Sequence, residues 1–298
     1  MRRRLLRSTL VLAATGAVLV GGGPAALAGG DHGHGRDVQT VHVVGNGTAA
    51  SVDDDHVHAG TVRFEVSSVA PAFSAVTMFQ LKNGATLDQF FDDVRKEFHP
   101  TDLSVRAEGT RDARRHATFY GLADVVPGVP LAVTENLRPG TYWLMDLTTP
   151  PDPVNDPPVT RFRVTGGGSG GDGSRHADVR VRLTDDRFLA PRVWPRAGTW
   201  WLTNADDTLH FMLLQPVQPG TTERQVQQAL EASGGGSVGD LADPTRPPVG
   251  SEVISPGVRH AVDYDLPPGR YVLLCFVADE GDGMSHAVMG MHRVIDLR

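Results

Sequence analysis

The chain has 298 residues, enough for about two ordinary domains. It is 40% hydrophobic and 21% charged, with 34 glycines and 21 prolines, which fits a turn-rich globular protein and argues against a disordered or coiled-coil one. A formal net charge of −7 argues against a nucleic-acid binder, and no apolar run reaches the ~20 residues of a membrane span.

Arg2, Arg3, Arg4 and Arg7 form a positive leader, and Thr9 to Val20 a short apolar stretch. Ala26-Leu27-Ala28 then supplies the small residues of a cleavage site. This order predicts a secretory signal peptide over 1–28, because Gly21-Gly22-Gly23-Pro24 ends the apolar run too early for an anchor. Arg2-Arg3-x-Leu5-Leu6 also resembles a twin-arginine signal, without the usual hydroxyl residue before it. Loss of those four arginines moves the charge from −7 to −11, a surface that repels phosphate backbones and anionic lipid. The protein is therefore expected to be secreted or to reside in the cell envelope. Residues 29–39 form a His/Gly-rich leader that cannot support a core.

The next 126 residues and the last 122 repeat one another. Pro127 to Leu144 aligns with Pro256 to Leu273 at an offset of 129 without a gap, and ten of the eighteen positions are identical. Among them are Val133/Val262, Leu137/Leu266, Gly140/Gly269, Tyr142/Tyr271 and Leu144/Leu273. Upstream, Ala59-Gly60-Thr61 and Ala197-Gly198-Thr199 each open an apolar strand-like run. Thr86-x-x-Gln89 and Thr222-x-x-Gln225 are capping boxes that predict a helix start in each copy. Phe90, Phe91, Val94 and Phe98 space as one helical face, as do Val226, Ala229 and Leu230. The units are placed at 40–165 and 177–298, with the Gly/Ser-rich 166–176 as a flexible linker. Thr61–Val66, Thr199–Thr203, Tyr142–Leu147, Tyr271–Val277, Arg161–Val164 and Arg293–Leu297 read as short strands between turns. That pattern predicts an all-β protein of two tandem β-sandwiches, each with one inserted helix.

The second unit carries metal-binding side chains in a distinctive order. His210 follows Asn204-Ala-Asp-Asp-Thr-Leu; Cys275 ends Gly269-x-Tyr271-x-Leu273-x-Cys275; His286 comes eleven residues later and Met291 five beyond that. A lone strand cysteine is most often a small buried hydrophobe, and a single cysteine in an exported protein can also be intermolecular or chemically employed. The joint order resembles the cupredoxins, the plastocyanin- and azurin-like blue-copper proteins. The resemblance implies a Greek-key sandwich in each half and one type-1-like copper ion in the second. Its ligands would be His210, Cys275 and His286, with Met291 as the weak axial ligand. It implies electron transfer or copper holding, and a redox or copper-exchange partner protein.

In one respect the sequence departs from that pattern: ten residues separate Cys275 from His286 where the family has two to four. Met284, Met289 and His292 are rival ligands. In the first unit Asp146 stands at the place of Cys275 and Ser74 at that of His210, so that unit is expected to hold no metal. His32-x-His34 and His56-x-His58 are further His pairs near the start of the mature chain, read as solvated residues with metal recruitment as the alternative. His260 is expected to be structural. Related copper oxidases and nitrite reductases carry the fold in tandem, but the oxidase His-Cys-His link is missing, since Leu274 and Phe276 flank the cysteine. The chain is therefore expected not to be an enzyme. The competing reading is a metal-free extracellular interaction protein that uses Cys275 as core.

Overall fold

The structure, a computed structural model, describes residues 38–151, 156–166, 177–184 and 187–298. The signal peptide, nearly all of the His/Gly leader with His32 and His34, and the linker from 167 to 176 lie outside the described residues.

The first half runs β1 (Gln39–Gly45), β2 (Ala50–Val52), β3 (His56–His58), β4 (Gly60–Ser68), β5 (Ser74–Leu81), α1 (Leu87–Glu97), α2 (Leu103–His116), β6 (Ala117–Val125), β7 (Leu131–Leu137), β8 (Gly140–Asp146) and β9 (Val159–Thr165). The second runs β10 (Val179–Thr184), β11 (Arg187–Leu189), β12 (Val193–Trp194), β13 (Ala197–Asn204), β14 (His210–Pro216), α3 (Glu223–Ala232), β15 (Val249–Ile254), β16 (Arg259–Asp265), β17 (Gly269–Leu274), α4 (His286–Met289) and β18 (His292–Leu297). Burial alternates along β4 and β14, as period-two side-chain geometry requires of strands with one face on a core. Phe64, Tyr142 and Phe162 fill the first sandwich, and Trp194, Trp200 and Tyr264 the second. Each such ring, fully buried, contributes about 1.5–3 kcal/mol of apolar transfer.

Both capping boxes form. Thr86 Oγ1 accepts from the Gln89 amide at 3.2 Å while Gln89 Oε1 accepts from the Thr86 amide at 3.0 Å. Thr222 and Gln225 repeat this at 3.3 and 3.0 Å. Phe90 stacks on Phe79 with ring centroids 4.2 Å apart, which seats α1 on the sandwich. Phe98, expected on the same face, is instead the C-cap of α1 and 45% exposed, because the chain turns there to start α2. The inserted segment of the first half is thus a helical pair where a single helix was expected. Gly109 of α2 lies so close to the Glu97 backbone that no side chain fits between the helices.

The two sandwiches share their sheets. One sheet of eight strands has the order β11-β10-β13-β16-β7-β4-β1-β2 and another of ten has β12-β18-β17-β14-β15-β6-β5-β8-β9-β3. The halves join where β7 pairs antiparallel with β16 and β6 with β15. Buried polar groups are concentrated at this seam. His260 Nδ1 lies 2.8 Å from Glu135 Oε1 and its Nε2 lies 2.8 Å from Ser251 Oγ, which gives His260 the structural role the sequence implies. Thr77 Oγ1 donates to Glu252 Oε2 at 2.7 Å, and Asp124 lies beside the same carboxylate.

Candidate metal centre

Four elements deliver the predicted ligands to one end of the second sandwich. His210 is the first residue of β14, Cys275 follows the last residue of β17, His286 opens α4, and Met291 precedes β18. Because β14 and β17 pair antiparallel with Leu213 opposite Leu274, the start of one strand lies beside the end of the other. Asn204 shapes the turn before His210, with Nδ2 donating to the carbonyls of Thr208 at 2.8 Å and Ile254 at 2.9 Å.

The ten-residue insertion is folded back on itself. The amides of Gly281 and Asp282 donate to Asp279 Oδ1 at 2.7 and 2.9 Å, and Ala278 bridges to Ser285. The His286 amide then donates to the Val277 carbonyl at 2.9 Å, and the Ala287 amide to the Cys275 carbonyl at 2.7 Å. The segment is therefore a hairpin whose two ends meet, and it returns His286 Nδ1 to 3.5 Å from the cysteine sulfur.

Cys275 Sγ lies 3.7 Å from His210 Nδ1 and 3.5 Å from His286 Nδ1, and the two Nδ1 atoms are 3.1 Å apart. All three residues have no solvent exposure. An ion bonded at about 2.0–2.3 Å to three donors in one plane sets them about 3.5–3.7 Å apart. The two sulfur–nitrogen separations match this, and the nitrogen pair needs to open by a few tenths of an ångström. One thiol and two imidazoles in a trigonal arrangement, with a thioether nearby, is the donor set that selects copper. Met291 is fully buried in the same apolar cluster as Cys275. The set fits one type-1-like copper ion.

Surrounding groups aim these donors. The Phe211 amide donates to Cys275 Sγ at 3.4 Å, which stabilises charge on the sulfur. Asp206 Oδ2 lies 3.0 Å from His210 Nε2 and Asp279 Oδ2 lies 3.9 Å from His286 Nε2. At hydrogen-bond distance the Asp206 carboxylate keeps the proton on Nε2 of His210 and leaves its Nδ1 as the electron-pair donor, while Asp279 places a carboxylate near the far nitrogen of His286 without a hydrogen bond to it. Burial pushes the His210 imidazole down to about 4, the neighbouring His286 adds to this and Asp206 opposes it, so the ring is neutral and able to ligate at pH 7. Residue order along the chain does not single out Asp279 or the Phe211 amide, and it leaves Asp206 without a role. The signal for Asp206 was present: a carboxylate four residues before His210 in a turn.

The rivals are placed elsewhere. Met284 and Met289 are 38% and 40% exposed. His292 is engaged by Glu223 Oε2 at 3.2 Å and Gln227 Oε1 at 2.8 Å. His56 and His58 are exposed on β3, and His56 forms a solvent-facing cluster with Asp54 and Asp55. In the first half, Asp146 fills the position of Cys275 with a different chemistry. Its carboxylate accepts from the amides of Gly47 at 2.8 Å, Ala75 at 3.2 Å and Thr148 at 3.1 Å, and from Thr148 Oγ1 at 2.5 Å. Ser74, at the place of His210, bonds to Ser68 instead, Oγ to Oγ at 2.8 Å.

No family model matches the sequence, and no curated protein matches it. Among solved structures the chain is similar to a cupredoxin, reduced auracyanin from the photosynthetic bacterium Roseiflexus castenholzii, at 17% identity over 40% of this chain and 94% of that one, with a TM-score of 0.26. It is similar to copper nitrite reductase from Nitrosomonas europaea at 13% identity over 88% of this chain and 94% of that one, TM-score 0.23. It is also similar to a multicopper oxidase at 10% identity over 87% of this chain and 88% of that one, TM-score 0.22. At such identities and scores no residue role passes from those proteins to this chain.

Proposed function

We propose that the protein is an exported copper carrier. One ion is held by His210, Cys275 and His286, with Met291 as the weak fourth ligand, for electron transfer or copper holding. The observation that carries this reading is the convergence of one Sγ and two Nδ1 atoms, 3.1–3.7 Å apart and closed to solvent. Copper supplies a one-electron couple there. The protein supplies ligands fixed by two strands and a stapled hairpin, so little rearrangement accompanies a change of oxidation state. The single thiol suits a mononuclear site, and Leu274 and Phe276 on either side of it support electron carrying rather than oxidase chemistry. Export rests on the Arg-rich leader, the short apolar stretch and Ala26-Leu27-Ala28. No helix among the described residues is long and apolar enough to cross a membrane.

The test is a copper titration of the purified chain followed by its visible spectrum. One equivalent bound with an intense thiolate-to-copper(II) band supports the redox role, and tight colourless copper(I) binding supports holding. Absence of stoichiometric copper contradicts the proposal and leaves the metal-free interaction protein.

A further inference from the structure

The hairpin between Cys275 and His286 is roofed by the first half of the chain. Arg114, in the last turn of α2, donates through Nε to Glu280 Oε1 and through Nη2 to Glu280 Oε2 at 2.8 Å. Arg111, three residues earlier, donates to the Glu280 carbonyl. At the other end of the helix the Leu103 carbonyl presses on Gly283, at φ +75°, where any Cβ would collide with it. Glu280 Oε1 also accepts from Thr208 Oγ1 at 2.9 Å, two residues before His210. One carboxylate therefore ties together α2, the Cys–His hairpin and the turn that carries His210. Cys275 and His286 stand at the two ends of that hairpin, and they and His210 have no solvent exposure.

We infer that Arg111 and Arg114 are positioning residues for the metal centre: they hold the Glu280 hairpin shut over His210, Cys275 and His286, so that copper enters and leaves only when α2 releases it. The metal part of this rests on the proposed function; closure over the thiol does not. The two-pronged guanidinium–carboxylate pair fixes orientation as well as charge, which a lysine cannot reproduce. An isolated surface pair adds little to the stability of a fold. This one spans the two halves and locks a loop containing Gly281 and Gly283, whose backbone freedom would otherwise favour opening. It also gives the first half a part in the site.

The experiment uses the full chain, first without metal. Reaction of Cys275 with an aromatic disulfide reagent is timed under native conditions in the wild type, Arg114→Met, Arg114→Lys, Glu280→Gln and the control Arg115→Met. Closure predicts at least tenfold faster modification in Arg114→Met and Glu280→Gln, partial recovery in Arg114→Lys, and the wild-type rate in Arg115→Met. Copper-loaded samples should pass their metal to a chelator faster in the same order, with a shifted visible band in Arg114→Met. Thiol rates within twofold of wild type in folded variants overturn the inference. If Arg114→Met fails to fold, Glu280→Gln, which leaves α2 intact, decides. A wild type that takes up no copper defeats the proposed function, while the thiol rates still decide closure.

Discussion

Val133 and Val262 lie directly opposite one another where β7 pairs with β16, and they are the same position of the 129-residue repeat. The pseudo-twofold axis of the molecule thus passes through a backbone pairing between equivalent strands. The halves are not beads on a linker: each closes an edge of the other's sheets. Residues 177–298 expressed alone would expose the edges of β15 and β16 and leave His260 without Glu135. That fragment is expected to self-associate or aggregate in size-exclusion chromatography with light scattering. A monodisperse monomer as stable as the full chain would contradict the shared-sheet account.

The Asp146 carboxylate should act as a staple rather than as a ligand. Asp146→Ala leaves the Gly47 amide without its acceptor and takes one of two acceptors from the Ala75 amide, which keeps Thr148 Oγ1, and from the Thr148 hydroxyl, which keeps the Phe73 carbonyl. One unmade bond and two weakened ones of this kind cost about 2 kcal/mol together. A lowered denaturation midpoint with unchanged copper stoichiometry is the expected result; lost copper binding in a folded variant would show that the two ends are coupled.

Asp206 should tune affinity without setting stoichiometry. Asp206→Ala removes the carboxylate from His210 Nε2 and frees the ring to turn or to change tautomer. Chelator competition is expected to show copper held about ten- to a hundredfold more weakly, still at one equivalent.

Carboxyl groups close to Glu252 should make the metal-free chain less stable as pH rises. Burial pushes the Glu97 carboxyl up to about 7, Arg106 opposes this and Glu252 adds to it. Burial and Glu252 together hold Asp124 well above the usual carboxylate range. A carboxyl whose folded pKa is raised contributes stability that is full below its unfolded value and lost as pH rises through the folded one. For Glu97 that window runs from the ordinary value of 4.5 to about 7. Thermal midpoints should fall across it, and Glu97→Gln should flatten part of the slope; an unchanged slope would remove Glu97 from the account.

The parts of this fold with local signatures were legible in the sequence. The repeated Pro-Gly-x-Tyr-x-Leu motif marks β8 and β17, and in both copies the tyrosine hydroxyl reaches a carbonyl four residues upstream, Tyr142 to Arg138 and Tyr271 to Pro267. The order His210, Cys275, His286, Met291 brought out the site because each residue stands at the end of an element or just outside one. α2 was not legible: its buried face is Ala107, Gly109, Thr110 and Ala113, small residues that leave no apolar stripe in a charged segment. Nor were the continuous sheets, since pairing β6 with β15 depends on which edges meet in space. The reach of the ten-residue segment was hidden for a similar reason: Asp279 folds it through backbone contacts that residue spacing does not reveal.

The most direct measurement is X-ray absorption at the copper edge of the loaded chain and of Cys275→Ser. One sulfur and two imidazole nitrogens around a single copper, with the sulfur signal lost in the variant, is the predicted result. A copper bound by nitrogen and oxygen alone, or a spectrum the same in both proteins, would contradict the site.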